Sequence, residues 1–136
     1  MMKKIDILSK LRSSGLRPTK QRVEIAKFLF ERDKTFHFTV ESLGKLLEKK
    51  AASKCALATI YNTVHAFISA GHLKEVEVRG NKTYFDTNVS SHHHFYDVET
   101  SELIDIDAKD VVIEKIPKAP NGKKIKNVEV FINLKN

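Results

Sequence analysis

Three consecutive histidines, His92, His93 and His94, are where this chain concentrates its chemistry. They lie between a strand-like run ending at Asp86 and another beginning near Phe95. In extended backbone the side chains alternate, so His92 and His94 face one way and His93 the other. Two imidazoles on one face make half of a transition-metal site, and Asp86 and the isolated His37 could supply the rest. The competing reading is a solvated polar loop, but three adjacent histidines in a chain that has only 6 favour ligation. A hydrolytic metal site would also need a general base close to a ligand. Glu99 is the nearest carboxylate after the run, and no HExxH-like spacing surrounds it. The chain therefore reads as a non-enzyme, with a metal-dependent enzyme as a remote alternative.

The frame around these residues is that of an ordinary folded chain. Its 136 residues, 41% hydrophobic and 30% charged, suit one large domain or two small ones and are too apolar for disorder. No stretch approaches the roughly 20 apolar residues of a membrane span. The opening MMKKIDILSK lacks the long apolar core and cleavage site of a signal peptide, so no membrane partner is expected. One cysteine, Cys55, excludes an internal disulfide and a four-cysteine zinc site, and fits a reducing cytoplasm. Charge is uneven: residues 1–80 hold 16 Lys+Arg against 8 Asp+Glu, whereas residues 81–136 hold 8 against 9. A basic first half suggests contact with a polyanion, and a near-neutral second half suggests a different task.

The basic half reads as helices. Ile5, Leu8 and Leu11 have helical spacing, and Gly15 closes that segment near Ser14. Pro18 and Thr19 open a second helix, with Thr19 as N-cap and Val23, Ile25, Ala26, Leu29 and Phe30 as its apolar face. A third runs from about Thr39 through Leu43, Leu46 and Leu47. A fourth spans about Ala56 to Ala70, with Leu57, Ile60, Tyr61, Val64, Phe67 and Ile68 as its apolar set and Gly71 as its stop. Two β-rich runs follow, Glu75–Arg79 and Lys82–Asp86, joined by the hairpin turn Gly80-Asn81. Helices followed by a two-stranded hairpin give the winged-helix order, in which the last helix enters the DNA major groove.

The fourth helix suits that task. Its outer face offers Thr59, Asn62, Thr63 and Ala66, and no Asp, Glu, Lys or Arg occurs from Ala56 to Ala70. Asn can bridge adenine's major-groove edge, and Thr can meet a thymine methyl or a phosphate. Lys54 stands at the helix entrance, within reach of phosphate. A merely solvated face would carry Glu and Lys pairs instead.

The segments GLRPTKQRVEIAKFL (Gly15–Leu29), ALATIYNTVHAFISAGHL (Ala56–Leu73), GNKTYFD and SHHHFY together resemble the ferric uptake regulator (Fur) family. The match runs in order from about residue 11 to 107. YNTV, TYFDTN and SHHHFYDVE resemble most its iron response regulator (Irr) branch, which senses iron through haem. The resemblance implies an α+β fold: a winged-helix DNA-binding domain over residues 1–86, then a small α/β dimerisation and sensing domain over residues 87–136. It implies a homodimeric, cytoplasmic repressor that binds a double-stranded DNA operator and regulates iron or haem homeostasis. A Fur-family metal or peroxide sensor without haem is the alternative.

Residue by residue, the resemblance places Tyr61 and Asn62 against bases and Thr59 near the backbone. Asn62 stands where members commonly have a basic residue, which implies a changed operator preference. Arg17 falls at a minor-groove position, with Lys20 and Arg22 near phosphates, although Arg22 equally suits a structural ion pair. The sensory metal site carries over as His37, Asp86, His92 and His94, one manganese, iron or zinc ion per chain. Filling it would fix the angle between the domains. Asp97 and Thr100 stand where many members carry cysteines, so no structural zinc held by four cysteines is expected. A second metal site lacks its partners, which leaves His93 available, and haem is expected at His92, His93 and His94.

The second half gives weaker signals. Phe95–Val98 and Glu102–Ile106 read as strands joined by a tight turn, and Val111–Ile116 as a short helix or strand. Val128, Val130, Ile132 and Leu134 alternate with polar positions apart from Phe131. A mixed sheet of this size with one helix leaves an apolar face that dimerisation would cover.

Overall fold

Capping side chains set the helix boundaries. The computed structural model describes residues 6–50, 55–78 and 82–136. Asp6 accepts from the Ser9 N–H at 3.1 Å and the Ser9 hydroxyl at 2.9 Å, opening α1 (Ile7–Ser13) and holding the Asp6 carboxyl below its ordinary pKa. The Thr19 hydroxyl accepts from the Arg22 N–H at 3.3 Å and opens α2 (Lys20–Phe30). Thr39 and Ser42 exchange backbone-to-hydroxyl bonds of 2.9 and 3.1 Å at the head of α3 (Val40–Lys50), a reciprocal cap. The fourth helix, α4 (Leu57–Ser69), starts without a side-chain cap. Gly15 and Gly71 follow α1 and α4 at φ +81°. Each sits in a 6→1 and 5→2 bond pair, Leu16 to Leu11 with Gly15 to Arg12, and His72 to Phe67 with Gly71 to Ile68. Both stops fall where the glycines predict them.

The chain divides into two compact units, residues 1–89 and 90–136. In the first, Leu11, Ile25, Leu29, Leu43, Ile60, Val64 and Phe67 form the core, joined by Phe38 and Phe85 from a sheet. That sheet comprises β1 (His37–Phe38), β2 (Lys74–Val78) and β3 (Lys82–Asp86) in antiparallel order β1-β3-β2. The sequence predicts only the β2–β3 hairpin, because two residues are too few to show an alternation. The predicted turn Gly80-Asn81 lies outside the described residues, as does Lys54. Within α4, Ile60, Val64 and Phe67 are buried, whereas Leu57 and Tyr61 are each 53% exposed. Thr63, expected on the outer face, is buried instead.

The second unit is a mixed sheet of β4 (His93–Asp97), β5 (Leu103–Ile106) and β6 (Phe131–Leu134), in the order β5-β4-β6. β4 pairs antiparallel with β5 and parallel with β6. The expected strand at 128–134 thus narrows to four residues. Residues 111–116 form neither helix nor strand: a 3-10 turn at Ala108–Asp110 precedes them, and Val112 is 88% exposed. An apolar run that stays in solvent has no packing partner to select an element for it. The register sorts the sheet into rows. His94 pairs with Asp105 and Phe131, while the next residue, Phe95, pairs with Ile104 and Ile132. Alternation sends those rows to opposite faces.

Candidate metal centre and nucleic-acid interface

One candidate half-site belongs to the first unit. His37 and Asp86 are register partners across β1 and β3, with His37 Nε2 3.0 Å from Asp86 Oδ2. Asp86 is fully buried, and its Oδ1 accepts from the Asn88 N–H at 2.8 Å. Beside the pair, the Thr87 hydroxyl accepts from the Phe36 N–H at 2.9 Å, and the Thr87 N–H donates to the Phe36 carbonyl at 3.1 Å. The residues flanking His37 and Asp86 are thus tied together.

A second half-site belongs to the second unit. His92 and His94 are buried with ring centroids 4.5 Å apart, and their Nε2 atoms lie 3.2 and 3.5 Å from Asp105 Oδ1. His92 Nδ1 sits 2.7 Å from the Ser90 carbonyl oxygen. A carbonyl only accepts, so that nitrogen is the donor, and the other ring nitrogen, Nε2, is the one turned toward the Asp105 carboxylate. A lone pair and a carboxylate oxygen at this distance repel unless a proton or a metal cation lies between them. His94 is further fixed by stacking on Phe131, 5.5 Å between centroids and 15° between planes. The donors offered by both units are imidazole nitrogens and carboxylate oxygens, a set that fits zinc, manganese or ferrous iron.

Asp105 is the ligand candidate that the sequence conceals. A lone acid in the strand LIDI matches no spacing rule; its only signal is a charge inside a short apolar run. His93 is not left open as expected. Its ring is 6% exposed, and its Nδ1 accepts from the Val130 N–H at 3.0 Å. Cys55 is half-buried, and burial, followed by Glu24, pushes its thiol up, away from the thiolate that binds metals.

The predicted DNA contacts lie in the first unit. Tyr61 and Asn62 are exposed on α4, and Thr59 is half-buried. Arg17 and Lys20 are exposed. Arg22 donates from Nη1 to the Arg17 carbonyl at 3.2 Å, so it braces the Arg17 backbone.

Residues 13–134 match the model of the ferric uptake regulator family. The chain belongs to that family. Ferric uptake regulation protein of Pseudomonas putida is 33% identical over 108 residues, covering 79% of this chain and 78% of that protein. Peroxide-responsive repressor PerR of Staphylococcus epidermidis is 29% identical over 98 residues, 72% of this chain and 63% of that protein. The structure of the Pseudomonas aeruginosa ferric uptake regulator with manganese superposes with a TM-score of 0.69 at 24% identity, covering 97% of this chain and 98% of that one. Fur-family proteins are DNA-binding, dimeric, metal-responsive transcriptional regulators and not enzymes. Among the described residues, no helix is long and apolar enough to cross a membrane.

Proposed function

We propose that this chain is a homodimeric repressor that reads an operator with α4 and takes one divalent ion per chain as its signal. His37, Asp86, His92 and His94 would hold the ion, with Asp105 as a further ligand. The observation that carries the metal reading is the pair of buried Nε2 atoms facing the Asp105 carboxylate, with the His92 tautomer set by Ser90. A cation there would be shared by the two ring nitrogens and the carboxylate. Drawing ligands from both units would restrain one against the other, and a dimer's two recognition helices must match the half-site spacing.

DNA contact would come from Tyr61 and Asn62 to bases, Thr59 to the backbone, and Arg17, Lys20 and Lys54 to phosphates and the minor groove, with Arg22 supporting Arg17. Dimerisation would use the face bearing Ile104, Phe95 and Ile132, where Ile104 is 47% and Ile132 42% exposed. Haem, and with it the Irr branch, rests on the run His92, His93 and His94. An axial ligand must present a ring nitrogen to an incoming macrocycle. All three rings are buried, which weighs for metal over haem. A gel-shift titration with manganese, iron or zinc, and separately with haem, tests the reading. Operator binding that responds to a divalent ion and ignores haem is expected. Binding that responds to haem alone overturns it.

A further inference from the structure

Tyr61 is an exposed aromatic on the helix proposed to read DNA, yet its ring is not left to swing. The His65 ring lies one helical turn further on, 4.2 Å between centroids and tilted by 48°. His65 in turn meets the edge of Phe85 at 6.2 Å and 78°. Phe85 is buried on β3 and packs on the buried Phe38 of β1 at 5.7 Å. A file of four rings thus runs from the core of the first unit to the exposed recognition face. Residues four apart on a helix are neighbours, and tilted ring pairs attract beyond their buried area.

We propose that His65 is a positioning residue for DNA recognition: braced by Phe85, it holds the Tyr61 ring in the orientation offered to the bases. This rests on the reading of Tyr61 as a base-contacting residue. A free tyrosine would lose rotamer freedom on docking, and a ring already held loses less. His65 is half-buried on α4, and its part is to set the angle of its neighbour's ring. The demand on the residue is a flat ring of moderate size, so phenylalanine should serve and alanine should not.

The test uses the 136-residue chain loaded with the metal that supports operator binding, and five forms: wild type, Tyr61→Ala, His65→Ala, His65→Phe and the Tyr61→Ala/His65→Ala double variant. His65→Ala should weaken operator binding about 3- to 10-fold, within the cost of freeing one ordered side chain, with random-DNA binding unchanged and the protein still fully folded at the assay temperature. His65→Phe should restore operator affinity. In the Tyr61→Ala background His65→Ala should have no further effect. Nuclear magnetic resonance of the DNA-free protein should show the Tyr61 ring protons moving when His65 becomes Ala. Two results overturn the proposal alone: His65→Ala matching wild type while Tyr61→Ala loses discrimination, or His65→Phe failing while operator and random DNA weaken together, the mark of a direct phosphate contact. If Tyr61→Ala itself discriminates as wild type does, the recognition reading beneath it falls too.

Discussion

At the scale of single residues, the half-site of the second unit makes two separable predictions. Asp105→Asn keeps the shape and removes the charge that faces His92 and His94, so divalent-ion affinity should fall, by about 10- to 100-fold if Asp105 ranks at least with a supporting ligand. His92→Ala with His94→Ala should abolish stoichiometric binding by the purified chain, measured by isothermal titration. Retained full-affinity metal in that double variant would remove the site. Binding should weaken as pH falls, because imidazoles must shed protons to ligate. Another histidine, His72, acts on stability. His72 Nε2 sits 2.8 Å from the Ser14 hydroxyl, and the His72 ring lies 6.0 Å from that of Phe30 and 6.3 Å from that of Phe67. Burial first, and Lys10 second, lower its pKa from the ordinary 6.5. The unfolded chain therefore binds the proton more tightly in that window. Stability should be fully present above pH 6.5 and be lost as pH falls from there through the folded value. His72→Gln should flatten that part of the thermal-midpoint profile.

Elements carry the next predictions. A methyl built on Gly44 of α3 would meet Leu57 Cδ2 at 3.0 Å and Ile60 Cδ1 at 3.5 Å. The nearer atom is the tip of a side chain that is 53% exposed and can turn away. Gly44→Ala should therefore gain most of the helix-propensity difference, raising stability by roughly 0.5 kcal/mol in urea unfolding. A lower midpoint would show that Leu57 cannot yield. On α4, Tyr61→Ala or Asn62→Ala should cost ~1–3 kcal/mol of preference for operator over random DNA while non-specific binding holds. Equal discrimination in both variants would move the recognition surface elsewhere. The helices were legible because their signals are local: Thr19, Gly15 and Gly71 name their own caps. β1 was illegible because pairing with β3 defines it. Asp105 was illegible because only the β4–β5 register brings it beside His94. Against the apolar spacing, Thr63 is buried and Tyr61 is exposed, the latter as its base-contacting place in the resemblance implies.

For the whole molecule, the two faces of the second unit's sheet predict that assembly and metal binding can be separated. Among its described residues the unit buries only Leu103 and Ile106 as hydrophobics, beside three histidines, and leaves Val98, Ile104 and Ile132 exposed. Ile104→Asp with Ile132→Asp should convert a dimer to monomers in sedimentation, since charges in an apolar contact go unpaired. Metal stoichiometry should persist, because Asp105, His94 and Phe131 occupy the other row. A dimer that survives both changes would place the interface on another surface. The β4–β6 pairing also carries a consequence in time. His93 is bonded by Val130 and His94 is covered by Phe131, both more than thirty-five positions downstream. During synthesis the histidines leave the ribosome well before the segment that encloses them. Until residues 130–134 follow, the run is an open tether of imidazole nitrogens, without the neighbours that cover it in the fold. If the proposed site holds a metal, its two buried histidines would reach their final geometry last, when β6 docks against β4.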